Sequence, residues 1–228
     1  MSTNPTDNMP DCVLFDLDGT LLDTAPDLTL AINRLRRERN LSALPVEAIR
    51  PTVSHGSLGM LKVGFGLSPD DPLYAELDSR LLEFYREAIA VETCLFPGMS
   101  EVLEYLERNA IHWGVVTNKP SELTEPLLKA LALWSRAASV VSGDTLPTRK
   151  PNPEPLLYAC AQIGADPCRS LYIGDAERDI LAGRQAGMTT LIAGFGYLSA
   201  EDRPETWSAT GFLHQPRDLF AWLGAPPE

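Results

Sequence analysis

The chain has 228 residues, 44% of them hydrophobic and 22% charged, which excludes a disordered chain and is long enough for a sizeable core. Asp and Glu number 31 against 19 Lys and Arg, and the resulting net charge of -12 argues against nucleic acid or an anionic membrane as partner. Met1–Pro10 is polar and lacks the apolar stretch of a leader, and no apolar run nears the ~18 residues that span a bilayer.

The first β-rich run, Cys12–Asp16, leads into Asp16-Leu17-Asp18-Gly19-Thr20. From Thr24 to Glu92 no strand pattern follows; Asp27–Arg39, Pro45–Val53 and Tyr74–Ala90 carry helix formers, with a turn at Ser68–Pro72. Beyond Glu92 the pattern changes. Apolar runs at His112–Thr117, Ser139–Ser142, Ser170–Gly174 and Thr189–Ala193, and a weaker one at Gly211–His214, alternate with helical spacing at Ser100–Arg108, Ser121–Leu131, Pro153–Ile163, Arg178–Ala186 and Arg217–Leu223. Near-continuous apolar runs mark strands buried on both faces, and strand–helix alternation predicts right-handed crossovers. The expected fold is therefore α/β: a doubly wound, Rossmann-like parallel sheet core at 10–23 and 93–228, with a small all-helical cap at 24–92 inserted after the first strand. Cys12, Cys94, Cys160 and Cys168 form no C-x-x-C pair, so reduced thiols and a cytoplasmic protein are expected.

The polar groups at the strand ends are of complementary kinds. The first strand ends in the acid pair Asp16 and Asp18, the second in Thr117-Asn118, the third is followed by Arg149-Lys150-Pro151, and the fourth ends in Gly174-Asp175-Ala176-Glu177-Arg178-Asp179. In a parallel sheet the carboxyl ends of the strands line the ligand crevice. A buried carboxylate needs a cation or hydrogen bonds. Carboxylates at i and i+2 suit a hard cation such as Mg²⁺, and they suit a nucleophile paired with an acid/base. Each group has a plainer reading alone, as a turn, an N-cap, a solvated charge or a first-turn acid. Their joint placement is what points to chemistry.

Asp16-x-Asp18-x-Thr20, Thr117, Lys150 and Gly174-Asp175-x-x-x-Asp179 resemble the four ordered motifs of the haloacid dehalogenase superfamily, over essentially the whole chain. The resemblance implies a Mg²⁺-dependent phosphomonoester hydrolase in which Asp16 forms an aspartyl-phosphate and Asp18 acts as acid, then base. It implies that Thr117 and Lys150 hold the phosphoryl oxygens, with Asn118 beside them binding substrate, that Lys150 also offsets the charge of Asp16, and that Asp16, Asp18 (through its carbonyl), Asp175 and Asp179 surround the metal. Asp18 argues against the dehalogenating and phosphonate-cleaving members, which lack that acid. Sugar-phosphate mutases keep it; Thr20 favours the hydrolases. A receiver-like signalling domain has no use for a ~70-residue helical insert and is smaller than this chain.

Specificity is expected in the cap, where Ser54-His55-Gly56-Ser57 is the candidate substrate-binding turn, its other reading being a helix-joining turn. Arg50 and Lys62 are further cations there, each also readable as solvated; His112 and His214 fit strand-end or surface positions. Leu95–Met99, Trp113–Pro120 and Gly196–Asp202 with Trp207 resemble the phosphoglycolate phosphatase-like branch and, within it, the N-acetylmuramic acid 6-phosphate phosphatases of cell-wall recycling. Tyr197 and Trp207 would line a sugar pocket or simply pack. The expected partner is a small phosphorylated metabolite, the expected state monomer or homodimer.

Overall fold

A computed structural model describes residues 9–224. Most of Met1–Pro10, and the last four residues of the expected core, lie outside them. The sheet begins with β1 (Cys12–Phe15) and β2 (Leu22–Asp23), the latter paired antiparallel with β3 (Cys94–Leu95). It continues with β4 (His112–Val116), β5 (Ser139–Val141), β6 (Leu171–Gly174), β7 (Thr189–Ala193) and β8 (Gly211–Leu213). Six of these form one sheet in the order β5-β4-β1-β6-β7-β8, every pair parallel. The chain runs outward from β1 through β4 to β5, then returns to the other side of β1 as β6. That reversal is the switch point at which open α/β sheets bind ligands.

The helices are α1 (Ala25–Glu38), α2 (Val46–Ile49), α3 (Gly56–Phe65), α4 (Tyr74–Glu87), α5 (Met99–Arg108), α6 (Ser121–Ala130), α7 (Glu154–Ile163) and α8 (Glu177–Gln185). Strand side chains alternate between two cores. Val13, Phe15, Trp113, Val115 and Ile173 pack with Leu103 and Leu106 of α5 and Leu127 of α6. Cys12, Leu14, Val116 and Tyr172 pack with Leu156 and Ala159 of α7 and Ala182 of α8. Both faces are thus covered, as a doubly wound sheet requires, and this is why the strands read as unbroken apolar runs. Truncating a fully buried residue such as Leu14 to Ala would cost about 2–5 kcal/mol.

Three local features depart from the sequence expectation. The two-residue strands β2 and β3 are too short to show any period. Helix α3 was unexpected because Gly56-Ser-Leu-Gly-Met-Leu-Lys-Val-Gly-Phe65 holds three poor helix formers. Its Gly64 permits close packing on α1: a Cβ there would stand 2.6 Å from Ile32 Cδ1. The expected helix at Arg217–Leu223 is a 3-10 segment, Pro216–Trp222, laid on α5 with the Phe220 and Tyr105 rings 5.3 Å apart. Between β2 and β3 the chain is otherwise helix and loop, including a 3-10 turn at Arg50–His55. Asp27 in the first turn of α1 is fully buried and accepts hydrogen bonds from the amides of Val91, Glu92 and Thr93, tying the returning chain to the start of the helix. Among the described residues no helix is long and apolar enough to cross a membrane.

Candidate active site

The loop after β1 turns sharply at Gly19, whose φ is +82°. A Cβ there would stand 2.1 Å from Asp175 Oδ2, so only glycine lets the β1 loop meet the end of β6. This contact gathers Asp16, Asp175 and Asp179, whose ligand atoms lie within 4.8 Å of one another, all three buried.

Lys150 reaches into this group from the loop before α7. Its Nζ lies 2.9 Å from Asp16 Oδ1 and 2.7 Å from Asp179 Oδ1, and donates to Val116 O at 2.8 Å and Tyr172 Oη at 2.7 Å. An ammonium has three protons, so four oxygens occupy it completely. Asn118 fixes the backbone beneath: its amide nitrogen donates to Lys150 O and its oxygen accepts from Lys150 N. The nucleophile position is held in the same way. Asp16 Oδ1 accepts from Lys150 and, at 2.7 Å, from Leu17 N, while among the described residues Oδ2 accepts nothing.

Burial and the charge of Asp179 raise the pKa of Asp16. Burial, with Asp16 and Asp179 nearby, pushes Asp175 up to about 7. Asp179 is also disfavoured by burial, but Lys150 and Arg178 outweigh that and hold it below the usual carboxylate range. Three carboxylates so close are unfavourable without further positive charge. Asp175 Oδ2 accepts from Tyr197 N and Ser54 Oγ, yet its Oδ1 is buried with no partner. An orphaned carboxylate oxygen beside two other carboxylates is a donor set that fits a hard divalent cation such as Mg²⁺.

Asp18, two residues on, faces other partners. Its Oδ1 lies 2.7 Å from Lys119 Nζ and accepts from Thr24 Oγ1 at 2.6 Å. Lys119 is almost buried, 4.6 Å above the Tyr85 ring, and Asp18 outweighs the effect of burial to raise its pKa.

A cavity of about 800 Å³ opens above these groups. Asp16, Asp18, Thr117, Asn118 and Lys150 line its floor, and Ser54–Ser57 with Val53, Leu58, Met60, Asp78 and Leu82 line the wall from the 3-10 turn, α3 and α4. Asp175 and Asp179 lie beneath the floor rather than on it. Arg50 is not on the wall; it pairs with Asp23 at 2.8 Å. Lys62, His112 and His214 are exposed and away from the cavity. Tyr197 and Trp207 are buried at 2% and 4% exposure and do not line it. Tyr197 instead accepts from the amides of Thr24 and Ala25 and donates to Asp23, fastening the start of α1. Trp207 packs on Ile180 and Ile192. Sequence reasoning missed Lys119, Tyr172 and Arg178. Lys119 and Arg178 had a signal in standing beside motif residues, whereas the role of Tyr172, mid-strand, depends on which face of β6 it occupies.

This fold, with acids from β1 and β6 joined by a lysine at the sheet's switch point, is that of a haloacid dehalogenase-like hydrolase. The chain belongs to that family, whose model it matches over residues 13–193. It is 42% identical over 208 residues to the N-acetylmuramic acid 6-phosphate phosphatase of Pseudomonas aeruginosa, covering 91% of this chain and 92% of that one. It is also 42% identical over 216 residues to a phosphoglycolate phosphatase of Xanthomonas campestris, with 93% and 97% covered. A crystal structure described as a predicted phosphoglycolate phosphatase from Haemophilus somnus superposes with a TM-score of 0.79 at 24% identity, covering 96% of this chain and 99% of that one, which shows the shared fold.

Proposed function

We propose that the chain is a Mg²⁺-dependent phosphomonoester hydrolase acting on a sugar phosphate of the N-acetylmuramic acid 6-phosphate kind. One observation carries the chemistry: Asp16 is clamped through Oδ1 while its Oδ2, on the cavity floor, is unengaged. Asp16 attacks phosphorus, the bond from phosphorus to the leaving oxygen breaks, and Asp18 delivers a proton to that oxygen. Asp18 then takes a proton from water as the aspartyl-phosphate is hydrolysed. Thr117, on the floor, donates its hydroxyl to a phosphoryl oxygen; its Oγ1 already accepts from Lys119 N. Asn118 acts differently from its first reading, holding Lys150 rather than substrate. Lys150 in turn orients Asp16 and offsets its charge. Asp16, Asp175 and Asp179 with the carbonyl of Asp18 would hold Mg²⁺, which when bound neutralises charge on the transferring group.

In this reading 24–92 is a cap over a catalytic core formed by 10–23 and 93–228. The cavity volume supports a leaving group much larger than a two-carbon acid. The test is phosphate release from N-acetylmuramic acid 6-phosphate, phosphoglycolate and p-nitrophenyl phosphate, side by side, with Mg²⁺ and with chelator. A kcat/KM highest for the sugar phosphate and lost on chelation is expected. Preference for phosphoglycolate would overturn the substrate assignment, and full turnover in a metal-free sample would overturn the mechanism.

A further inference from the structure

Arg178 stands in the first turn of α8 and lines the cavity with Asp16, Asp18, Thr117 and Lys150. Among the described residues it takes part in no hydrogen bond or ion pair, and its Nε is buried without a partner. This is unusual beside three carboxylates. Lys150, by contrast, already occupies Asp16 Oδ1 and Asp179 Oδ1. A cationic fork at a cavity wall with its donors unused is matched by an acceptor arriving with a ligand. Its planar donors fit two oxygens of one phosphate or carboxylate. Lys150, with four oxygens around three protons, has none left to give.

We propose that Arg178 is a substrate-binding residue that grips the transferring phosphoryl group, while Lys150 serves to position Asp16. The proposal rests on the reading of the cavity as a phosphomonoester site. It assigns Arg178 to the phosphoryl oxygens, not to a carboxylate on the leaving group, because it stands on α8 beside Asp179 and not on the helical segment that forms the wall.

The experiment is calorimetric binding of inorganic phosphate, which has no leaving group, to the Mg²⁺-loaded protein, its R178Q variant and its R178K variant. R178Q is expected to weaken phosphate binding by ~10- to 100-fold, the size of one charge-assisted contact. R178K, which keeps the charge but not the fork, should lose less. Mg²⁺ affinity of R178Q should stay level or tighten, because a neighbouring positive charge has gone. kcat/KM should fall by one common factor on p-nitrophenyl phosphate and on a sugar phosphate. Phosphate binding within ~3-fold of wild type in R178Q overturns the proposal. So does a loss of Mg²⁺ affinity matching the loss of phosphate affinity, which would make Arg178 a structural member of the acid cluster. So does a loss confined to carboxylate-bearing substrates. If the unaltered protein neither binds phosphate nor hydrolyses any phosphomonoester, the functional reading falls and this proposal with it.

Discussion

The floor and the wall of the cavity are built on opposite principles. On the floor most polar and charged groups are already held: Lys150 by four oxygens, Asp18 by Lys119 and Thr24, Asn118 by the backbone of Lys150. The wall from the helical segment carries broad apolar surface, through Val53, Leu58, Met60 and Leu82, with Ser54, His55, Ser57 and Asp78 among its polar members. Asp78 Oδ1 is buried with no partner. A floor so constrained is preorganised for one reaction, whereas a wall of apolar surface with a few polar groups can change without disturbing it. Chemistry should therefore be lost by floor substitutions on every substrate, and selectivity by wall substitutions on some.

The largest effect is expected at Asp16. Asp16→Asn keeps the shape and one oxygen for Lys150 and removes the nucleophile. Turnover should fall by about 10³-fold or more on every phosphomonoester while the melting temperature stays within a few degrees. Substantial residual kcat in the folded variant would sink the assignment. Asp18→Asn comes next. Asn is the substitution of choice because Lys119 would otherwise be left as a nearly buried, unpaired cation. A loss of about 10²- to 10⁴-fold is expected on an alkyl phosphate, whose leaving oxygen needs a proton, and a smaller one on p-nitrophenyl phosphate. Equal losses on both would remove Asp18 from the role of acid.

Much of this floor was legible in the sequence. Asp16, Asp175 and Asp179 appear as acids at the ends of apolar runs, where burial without compensation is costly, and the structure brings them together. What could not be read was how the donors are distributed. Whether Lys150 meets substrate or other side chains depends on which way Tyr172 and Asn118 face, and that is set by pairing of β1 with β6 and of β1 with β4 across the sheet. The wall was less legible still. Helix α3 is glycine-rich, and nothing in its periodicity tells that Met60 faces inward while Lys62 faces out. Tyr197 and Trp207 could be read as pocket residues or as packing, and the choice between the two depends on neighbours in space, Asp23 and Ile192, that are not adjacent in sequence.

Metal binding separates the floor from the wall by stability rather than rate. At a Mg²⁺ concentration 100-fold above its Kd the native state gains about 2.7 kcal/mol, which for a chain of this length raises the melting temperature by about 5–10 °C. Asp175→Asn should abolish most of that shift, and His55→Ala should leave it intact. Ca²⁺ should stabilise in place of Mg²⁺ yet fail to support turnover, because it takes more oxygens at longer distances and would engage Asp16 on both. No thermal shift with Mg²⁺ in the unaltered protein would end the metal assignment.

The smallest effect, and the sharpest test of the comparison, is at His55. It closes the 3-10 turn, is exposed at its tip, and lines the wall opposite Asp16. Its neighbour Ser54 touches Asp175, so the turn meets the floor through Ser54 while leaving the imidazole to the cavity. His55→Ala removes one polar contact to a leaving group, about 1–3 kcal/mol, and should lower kcat/KM on the sugar phosphate by ~10- to 100-fold. p-Nitrophenyl phosphate presents a flat ring with few polar groups, so its turnover should change less than about 3-fold. An equal loss on both substrates would move His55 to the floor, and with it the boundary between chemistry and selectivity. No loss on either would turn attention to Asp78, the wall's remaining charged group, and the same pair of substrates measured on Asp78→Asn would then decide whether the wall selects through that carboxylate or by other contacts.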